Sequence, residues 1–274
     1  MDGVIPSEAA IRIAAFLAIF VSMTIFELWS PRLERPEMHG AMKSRRWFAN
    51  LSMVVISSLV LRVAFPAAAV GAALFAETRG WGLLRLLGDG GFLSGVVAFV
   101  ILDFAVWLEH LVSHKVPVLW RIHRIHHADT GFDVTTGLRF HPLEILLSMF
   151  WKATVVVALG APVLAVLVFE IVLNGSAMFS HSNVRLGPRL DRALRRVIVT
   201  PDMHRVHHSA EQVETDSNYG FNFSFWDRLF GTYADQPRRG HDRMTIGLAR
   251  YRDDRPAHVG WLLLLPFLSN SGRQ

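Results

Sequence analysis

The chain has 274 residues, of which 51% are hydrophobic and 19% charged, and its formal net charge is +5. It contains no cysteine, which excludes intramolecular disulfides, iron–sulfur clusters, thiolate-bound haem and cysteine-based zinc sites. Apolar residues are concentrated in four stretches that are long enough, or nearly so, to cross a hydrocarbon core of about 30 Å. These stretches are residues 8–29, 48–75, 92–112 and 145–181.

The four stretches predict an all-α, polytopic membrane protein with four to five spans. The first stretch lacks a preceding basic region and a small-residue cleavage site, so we expect an uncleaved span and not a signal peptide. The second contains Arg62, which snorkels to the interface, faces the bundle interior or marks a break in the helix. The fourth is interrupted by Gly160-Ala161-Pro162, which predicts a helical hairpin of two spans.

Two shorter segments are predicted to lie at the membrane surface. Residues 80–91 are rich in glycine and leucine, and we expect them to form a short interfacial piece between spans. Residues 259–268 are apolar but too short to cross, which predicts a re-entrant or surface-lying segment.

Basic residues are concentrated after the first span and after the hairpin. Under the positive-inside rule both connections face the cytoplasm, and contact with anionic headgroups is compatible with this. The Ala-, Arg- and Leu-rich composition favours a bacterial inner membrane. No nucleic-acid recognition motif accompanies the arginines, so we expect no nucleic-acid partner. The basic residues are Arg32, Arg35, Lys43, Arg45 and Arg46, then Arg185, Arg189, Arg192, Arg195 and Arg196.

Three histidine clusters lie next to the apolar stretches and hold eight of the 13 histidines. At this histidine content, a given H-x-x-H-H frame arises by chance with a probability of order 10⁻⁴, and the chain has two. The topology delivers all three clusters to the cytoplasmic side, as a histidine-rich cap. The eight residues are His110 and His114; His123, His126 and His127; and His204, His207 and His208.

The spacing of these histidines indicates metal binding. Imidazole binds first-row metals at neutral pH without adding negative charge. Residues at i, i+3 and i+4 share a helix face, so one turn is expected to present three imidazoles to a common centre. Eight or nine imidazoles exceed the coordination of a single zinc or iron, which favours two metal ions. A redox-active iron pair that activates O₂ is the natural chemistry of such a site.

Several other polar residues are candidates for the same site. Asp103 shares a helix face with His110 and His114, and it supports the metal or forms a buried structural ion pair. His181 ends the hairpin and is either a ligand or a polar cap at the membrane face. His141 precedes Pro142 and either orients that turn or binds metal. Glu109 lies about 100° around the helix from His110 and is not expected to be a ligand. The isolated histidines are expected at the surface: His39, His241 and His258.

These residues resemble the fatty acid hydroxylase/sterol desaturase superfamily of membrane di-iron oxygenases. The resemblance covers residues 95–235 and rests on the order H-x₃-H, H-x₂-H-H, H-x₂-H-H together with Asp103. It also includes the strings that flank the clusters: Leu119-Trp120-Arg121-Ile122-His123, Thr200-Pro201-Asp202-Met203-His204, Asn218-Tyr219-Gly220 and Phe225-Trp226-Asp227-Arg228-Leu229-Phe230-Gly231-Thr232-Tyr233.

The resemblance implies two irons, O₂ as co-substrate and a separate electron donor (a cytochrome, ferredoxin or reduced pterin) acting on a lipid C–H bond. By position, the eight histidines match the superfamily's motif, and His181 matches a further histidine after the hairpin. Where some members have another histidine, this chain has Ala177, so the coordination of one iron there involves water or Asn174. Asn218 is a further candidate beside the ligands.

The predicted function is hydroxylation of a fatty acyl, sterol or ether lipid. Desaturation and alkylglycerol-type ether cleavage remain alternatives on the same site, and a membrane metal-binding or transport protein is a distant one. Transport is disfavoured because the histidines collect at one end of the spans. We predict an N-terminal anchor over residues 1–91, an oxygenase core over 92–235 and a C-terminal tail over 236–274.

Overall fold

The computed structural model describes residues 4–87 and 91–268. Within these ranges the chain is helical and forms no β-strand, only three isolated bridges. Five helical segments are long and apolar enough to cross a membrane: Glu8–Trp29, Gly40–Arg79, Phe92–Lys115, Pro142–Leu159 and Val163–His181. The structure thus confirms the all-α, polytopic prediction with five spans, two of them from the hairpin.

The α-helices of the described ranges number as follows: α1 Val4–Trp29, α2 Gly40–Ala64, α3 Ala68–Arg79, α4 Phe92–Lys115, α5 Pro117–His127, α6 Pro142–Leu159, α7 Val163–His181, α8 Pro188–Leu194, α9 Pro201–His207, α10 Gln212–Thr215, α11 Phe225–Leu229 and α12 Val259–Leu264.

The second span, predicted over residues 48–75 with a break marked by Arg62 as one alternative, consists of two helices, α2 and α3. The break falls at Phe65-Pro66-Ala67, where proline lacks the N–H that the next helical hydrogen bond requires. Arg62 lies in the last turn of α2, just before the break, and its side chain is exposed.

The hairpin turns where the sequence predicts it. Gly160 caps α6 in the left-handed conformation, with φ of +63°, and its N–H contacts the carbonyls of Val156 and Val157. Gly82 packs against the backbone of Gly160 so closely that neither position has room for a side chain. The connection between α3 and α4, which contains Gly82, therefore packs against the hairpin turn. It contains a short 3₁₀ helix over Leu83–Leu87, and residues 88–90 of the predicted interfacial piece lie outside the described ranges.

Apolar packing and histidines occupy opposite ends of the bundle. At the hairpin-turn end, α3, α4, α6 and α7 share an apolar core that includes Leu102, Val156 and Phe169. At the other end, α4 finishes, α6 begins and α7 finishes close to α5 and α9, which carry the two H-x-x-H-H strings. The spans thus deliver every histidine cluster to one end.

The segment 259–268 packs against the histidine-bearing helix. Leu262 and Leu265 are fully buried in a cluster with Met53 of α2 and Ile125 of α5, and Arg124 donates to the Leu265 carbonyl at 2.7 Å. Leu264, Phe267 and Leu268 are exposed. The segment therefore lies at the surface on one face and closes the cap on the other.

Candidate metal centre

Nine buried histidines form two sets, and within each set one ligand nitrogen per residue lies within 4.8 Å of all the others. The five-histidine set contains His110, His114, His123, His127 and His207. The four-histidine set contains His126, His181, His204 and His208. The structure therefore brings together every histidine predicted as a ligand, in groups that suit two ions.

The expectation that one helical turn presents all three imidazoles to a common centre is wrong. On α5, His123 and His127 join the five-histidine set, while His126 joins the other. In the second H-x-x-H-H string, which starts on α9, the assignment is reversed. His204 and His208 join the four-histidine set, and His207 joins the five-histidine set. The reason is helical geometry: residues i and i+4 are about 40° apart around the axis, whereas i+3 lies about 60° to the other side.

Hydrogen bonds orient three rings of the five-histidine set. His110 Nδ1 lies 2.8 Å from the Tyr219 carbonyl oxygen, and His207 Nδ1 lies 2.6 Å from that of Ser217. His123 Nδ1 lies 2.6 Å from Glu144 Oε1. Because a carbonyl oxygen only accepts, Nδ1 of His110 and His207 carries the proton and Nε2 presents a lone pair. The Nε2 atoms of His110, His114 and His207 are buried and have no hydrogen-bond partner among the described residues.

The four-histidine set surrounds His181. Its Nδ1 donates to the Ala177 carbonyl at 2.6 Å, which leaves the Nε2 lone pair free. The Nε2 atoms of His126, His204 and His208 lie 3.0, 3.0 and 3.2 Å from that atom. Two nitrogens that are each about 2.1 Å from one metal ion and about 90° apart are about 3.0 Å from each other. The spacing and donor type therefore fit a metal ion bound by imidazoles.

Burial keeps the cap histidines neutral. It lowers the pKa of His126, His127, His204 and His208 well below the ordinary value, and neighbouring imidazoles lower it further. The pKa of His207 is lowered by burial to about 3, against a smaller opposing effect of its hydrogen bond to Ser217. A neutral imidazole is the form that binds metal, so no proton has to leave these rings at pH 7.

Asn218 shapes the loop that holds two of the rings. Its φ is +51°, in the left-handed region that asparagine tolerates, and it stands between Ser217 and Tyr219, whose carbonyls accept from the histidines. Its side chain donates to Met203 and Ala234 and accepts from the Ala234 N–H. The predicted contribution of Asn218 is therefore made through the backbone, without contact to a histidine.

Asp103 binds the same loop region and not an imidazole. Its Oδ2 accepts from Trp226 Nε1 at 2.8 Å and from the Phe223 N–H at 3.3 Å. Next to it, Asp227 accepts from the N–H groups of Tyr219 and Gly220 at 2.8 and 2.9 Å. Asp103 therefore supports the metal centre indirectly. It holds the loop that follows Tyr219, the residue whose carbonyl accepts from His110.

The other two predicted neighbours lie outside both sets. His141 caps α6, since its Nδ1 accepts from the Leu143 N–H at 3.1 Å, and its Nε2 lies 3.3 Å from the Leu263 carbonyl oxygen. It orients the turn and does not join the metal ligands. Asn174 is exposed on α7 and donates to the Glu170 carbonyl of its own helix. Asn174 therefore does not take the place of the histidine that some members of the superfamily have at the position of Ala177.

A buried ionic network holds the connection between α5 and α6. Arg46 of α2 contacts both oxygens of Asp129 at 2.5 and 2.9 Å and Asp133 at 3.1 Å. Asn50 donates to Asp129 at 3.0 Å, and Arg139 donates to Asn50 at 2.9 Å. Burial alone would raise the pKa of Asp129, but the Arg46 charge reverses the effect and the pKa is lowered. The connection is thereby fixed two residues after His127.

Sequence reasoning missed Glu144 and this network. Glu144 is the only carboxylate in the first turn of α6, three residues after His141, and its position directly before the apolar stretch 145–181 was a usable signal. The carboxylate partners of Arg46 are over 80 residues away in the chain, so no local pattern reveals them. The prediction for His241 is also wrong: it is buried with 6% exposure, whereas His39 and His258 are exposed as expected.

Residues 95–232 match the family model described as fatty acid hydroxylase. Three similar curated proteins are ornithine lipid hydroxylase of Rhizobium tropici, alkylglycerol monooxygenase of Homo sapiens and cholesterol 25-hydroxylase of Rattus norvegicus, with 34%, 31% and 25% identity. The alignments cover 52%, 55% and 52% of this chain. The chain spans 42%, 32% and 47% of these relatives, so it corresponds to less than half of each. No solved structure matches it. Because the family model covers half of the chain and contains both histidine sets, the chain belongs to the fatty acid hydroxylase family.

Proposed function

We propose that this chain is a membrane-bound di-iron oxygenase that hydroxylates a C–H bond of a lipid. The observation that carries the proposal is the pair of buried, all-histidine sets at one end of a five-span bundle, inside the segment that matches the family. The substrate class is a fatty acyl, sterol or ether lipid, and the reaction uses O₂ and two external electrons.

The overall reaction is R–H + O₂ + 2 e⁻ + 2 H⁺ → R–OH + H₂O. Iron, when bound by the nine histidines, supplies the activation of O₂ and the oxidation of the C–H bond. Both sets consist only of imidazole nitrogens, in contrast to the carboxylate-rich sites of soluble di-iron bundles.

The chain's own residues hold the histidine rings in position and exclude water from the site. Glu144 and the carbonyls of Ser217, Tyr219 and Ala177 fix four rings, so the nitrogens do not have to reorganise when an ion enters. Every histidine of both sets is at least 96% buried, which keeps bulk water away from the reacting carbon. We propose that the lipid reaches the histidine end from the bilayer, along the adjacent spans.

Hydroxylation is favoured over desaturation because each of the three relatives is named as a hydroxylase or monooxygenase. These names cover an ornithine lipid, an alkylglycerol and a sterol, so a lipid extract that contains all three classes is the appropriate first substrate mixture. Ether cleavage through hydroxylation is the second candidate, and it is favoured by the similarity to alkylglycerol monooxygenase.

We place the histidine end on the cytoplasmic side of a bacterial inner membrane. The connection after α1 and the segment after α7 both lie at that end and are rich in arginine, whereas the connection within the hairpin has no basic residue. The positive-inside rule assigns the arginine-rich end to the cytoplasm. The domain boundaries at residues 91 and 235 stay a prediction.

Comparative lipidomics tests this function. Cells that express the chain are compared with cells that express His207→Ala or His126→Ala, one residue from each histidine set. We expect a lipid that gains one oxygen only with the unaltered chain, and membrane insertion in all three cases. Loss of two hydrogens identifies a desaturase, and a released aldehyde identifies ether cleavage. An iron-loaded, reduced protein that consumes no O₂ with the lipid extract, yet moves metal ions in vesicles, contradicts the proposal.

A further inference from the structure

A cleft of about 460 Å³ opens on the cap beside the four-histidine set. It lies between the connection after α1, helix α8, the first turn of α9 and the loop 235–242. Its lining is dominated by charged groups, among them Arg32, Arg185, Arg192, Arg195, Asp202 and His241.

The cleft lining contains as many arginines as aspartates, four of each, and the excess positive charge lies in the exposed arginines on and beside α8. Each of its four aspartates already has an arginine of this chain as an ion-pair partner: Asp191 and Asp235 pair with Arg195, Asp202 with Arg32 and Arg205, and Asp242 with Arg32. Four exposed arginines on and beside α8 form no ion pair with a described carboxylate, and two of them, Arg185 and Arg192, line the cleft. The four are Arg185, Arg189, Arg192 and Arg196.

The floor of the cleft contains a buried imidazole. His241 lines the cleft with 6% exposure, and neither ring nitrogen has a hydrogen-bond partner in the described chain. Its Nε2 lies 3.8 Å from Asp202 Oδ2, too far for a hydrogen bond. A buried polar group without a partner is costly, so this nitrogen is available to a group that enters the cleft.

A chain of side-chain contacts connects Asp202 of the cleft with the four-histidine set. Asp202 pairs with Arg205, which is fully buried. The Arg205 guanidinium stacks 5.0 Å from the centre of the Phe132 ring. That ring lies 5.2 Å from the His208 ring and 5.7 Å from the His181 ring. Two packed side chains therefore separate the cleft from the histidines.

We propose that this cleft is the docking site of the external electron donor, and that the donor is an acidic one-electron redox protein of the iron–sulfur or haem type. The inference rests on the proposed function, since hydroxylation requires two electrons and the chain has no cysteine for an iron–sulfur cluster of its own. Each of two donor molecules is oxidised by one electron, and O₂ is the species reduced. The unpaired arginines extend beyond the cleft to Arg189 and Arg196, which suits a protein surface better than a small molecule.

Binding to the metal-free protein tests the docking site separately from turnover. The full chain is placed in nanodiscs of phosphatidylcholine alone, and its affinity for reduced plant-type ferredoxin and for the soluble domain of cytochrome b5 is measured at several salt concentrations. We expect affinity for at least one of them that falls with salt, because exposed charges are screened. Arg185→Glu combined with Arg192→Glu should weaken it by about tenfold or more. Arg250→Glu, an exposed arginine that does not line the cleft, is the matched control and should change it less than about twofold.

Turnover of the iron-loaded protein provides the second readout. The ratio of donor-driven to dithionite-driven product formation should fall at least about tenfold in the double variant and not in the control. No binding of either probe, or equal losses in the double variant and the control, overturns the docking site. The binding measurement is repeated in nanodiscs that also contain phosphatidylglycerol, and an effect of the double variant seen only there overturns the docking site as well, because it assigns the arginines to anionic headgroups. Charge-dependent binding without oxygenated lipid under dithionite would instead contradict the proposed function alone.

Discussion

Replacing Glu144 by glutamine removes one negative charge beside His123 while keeping the length of the side chain. The carboxylate Oε1 lies 2.6 Å from His123 Nδ1, and the Glu144 side chain is 14% exposed. A hydrogen bond to a charged group contributes about 1.5–3 kcal/mol, against about 1 kcal/mol for a neutral one. Glu144→Gln therefore loses about 0.5–2 kcal/mol, which lowers metal affinity at the five-histidine set by about 2- to 30-fold. Glu144→Ala removes the partner altogether and should lower it by about 10- to 100-fold.

The assay is a titration of the metal-free protein with Fe²⁺ or Co²⁺ against a competing chelator, which resolves the affinities of the two sets. Glu109→Gln is the matched control, because this carboxylate of α4 also contacts α6 but accepts from Ser148 and from no histidine. We expect one affinity to fall in the Glu144 variants and neither to fall in the control. Equal changes in the Glu144 and Glu109 variants, or no change in Glu144→Ala, would refute the assignment of Glu144 as the carboxylate that orients His123.

Three other substitutions probe the frame around the histidines. Arg46→Met leaves two buried carboxylates without their cation, so thermal unfolding in detergent should show a loss of about 3–5 kcal/mol; a loss below about 1 kcal/mol would contradict this. Gly137→Ala puts a Cβ 2.8 Å from the Ala177 carbonyl oxygen and 3.1 Å from His181 Nδ1, which breaks the hydrogen bond between these two groups. Bound iron should then fall from two ions per chain toward one. An unchanged iron content would show that this hydrogen bond is dispensable. Burial lowers the pKa of His241 to about 4. Below pH 6.5 the unfolded chain therefore binds more protons than the folded chain, and the free energy of unfolding decreases as the pH is lowered. At pH 5 the cost is about 2 kcal/mol, and His241→Gln should remove that part of the pH dependence; identical pH profiles would place the titration elsewhere.

The spans and the histidine clusters follow from local pattern. Apolar length predicts five crossings when the Gly160-Ala161-Pro162 break is taken as a hairpin turn, and the number of spans places all three clusters at one end. Both depend only on residues that are neighbours in the chain. The break at Pro66 carried a local signal as well, because proline interrupts a helix wherever it stands in the interior.

Helical spacing explains why i and i+4 share a set while i+3 joins the other, but it does not reveal which histidines of different helices come together. That His126 meets His181 depends on how α5 lies relative to α7 and α9, which tertiary packing decides. The roles of Asp103 and Asn218 depend likewise on where the loop 217–227 meets α4. His241 looked like a surface residue because it stands in the charged string Arg238-Arg239-Gly240-His241-Asp242-Arg243.

The most direct test of the metal centre is the iron content of the purified, reconstituted protein, determined together with protein concentration by mass spectrometry and amino-acid analysis. Nine histidines in two sets predict two irons per chain, falling to about one in His204→Ala and in His114→Ala, which affect different sets. A single iron in the unaltered protein, or two irons retained in both variants, would contradict the account.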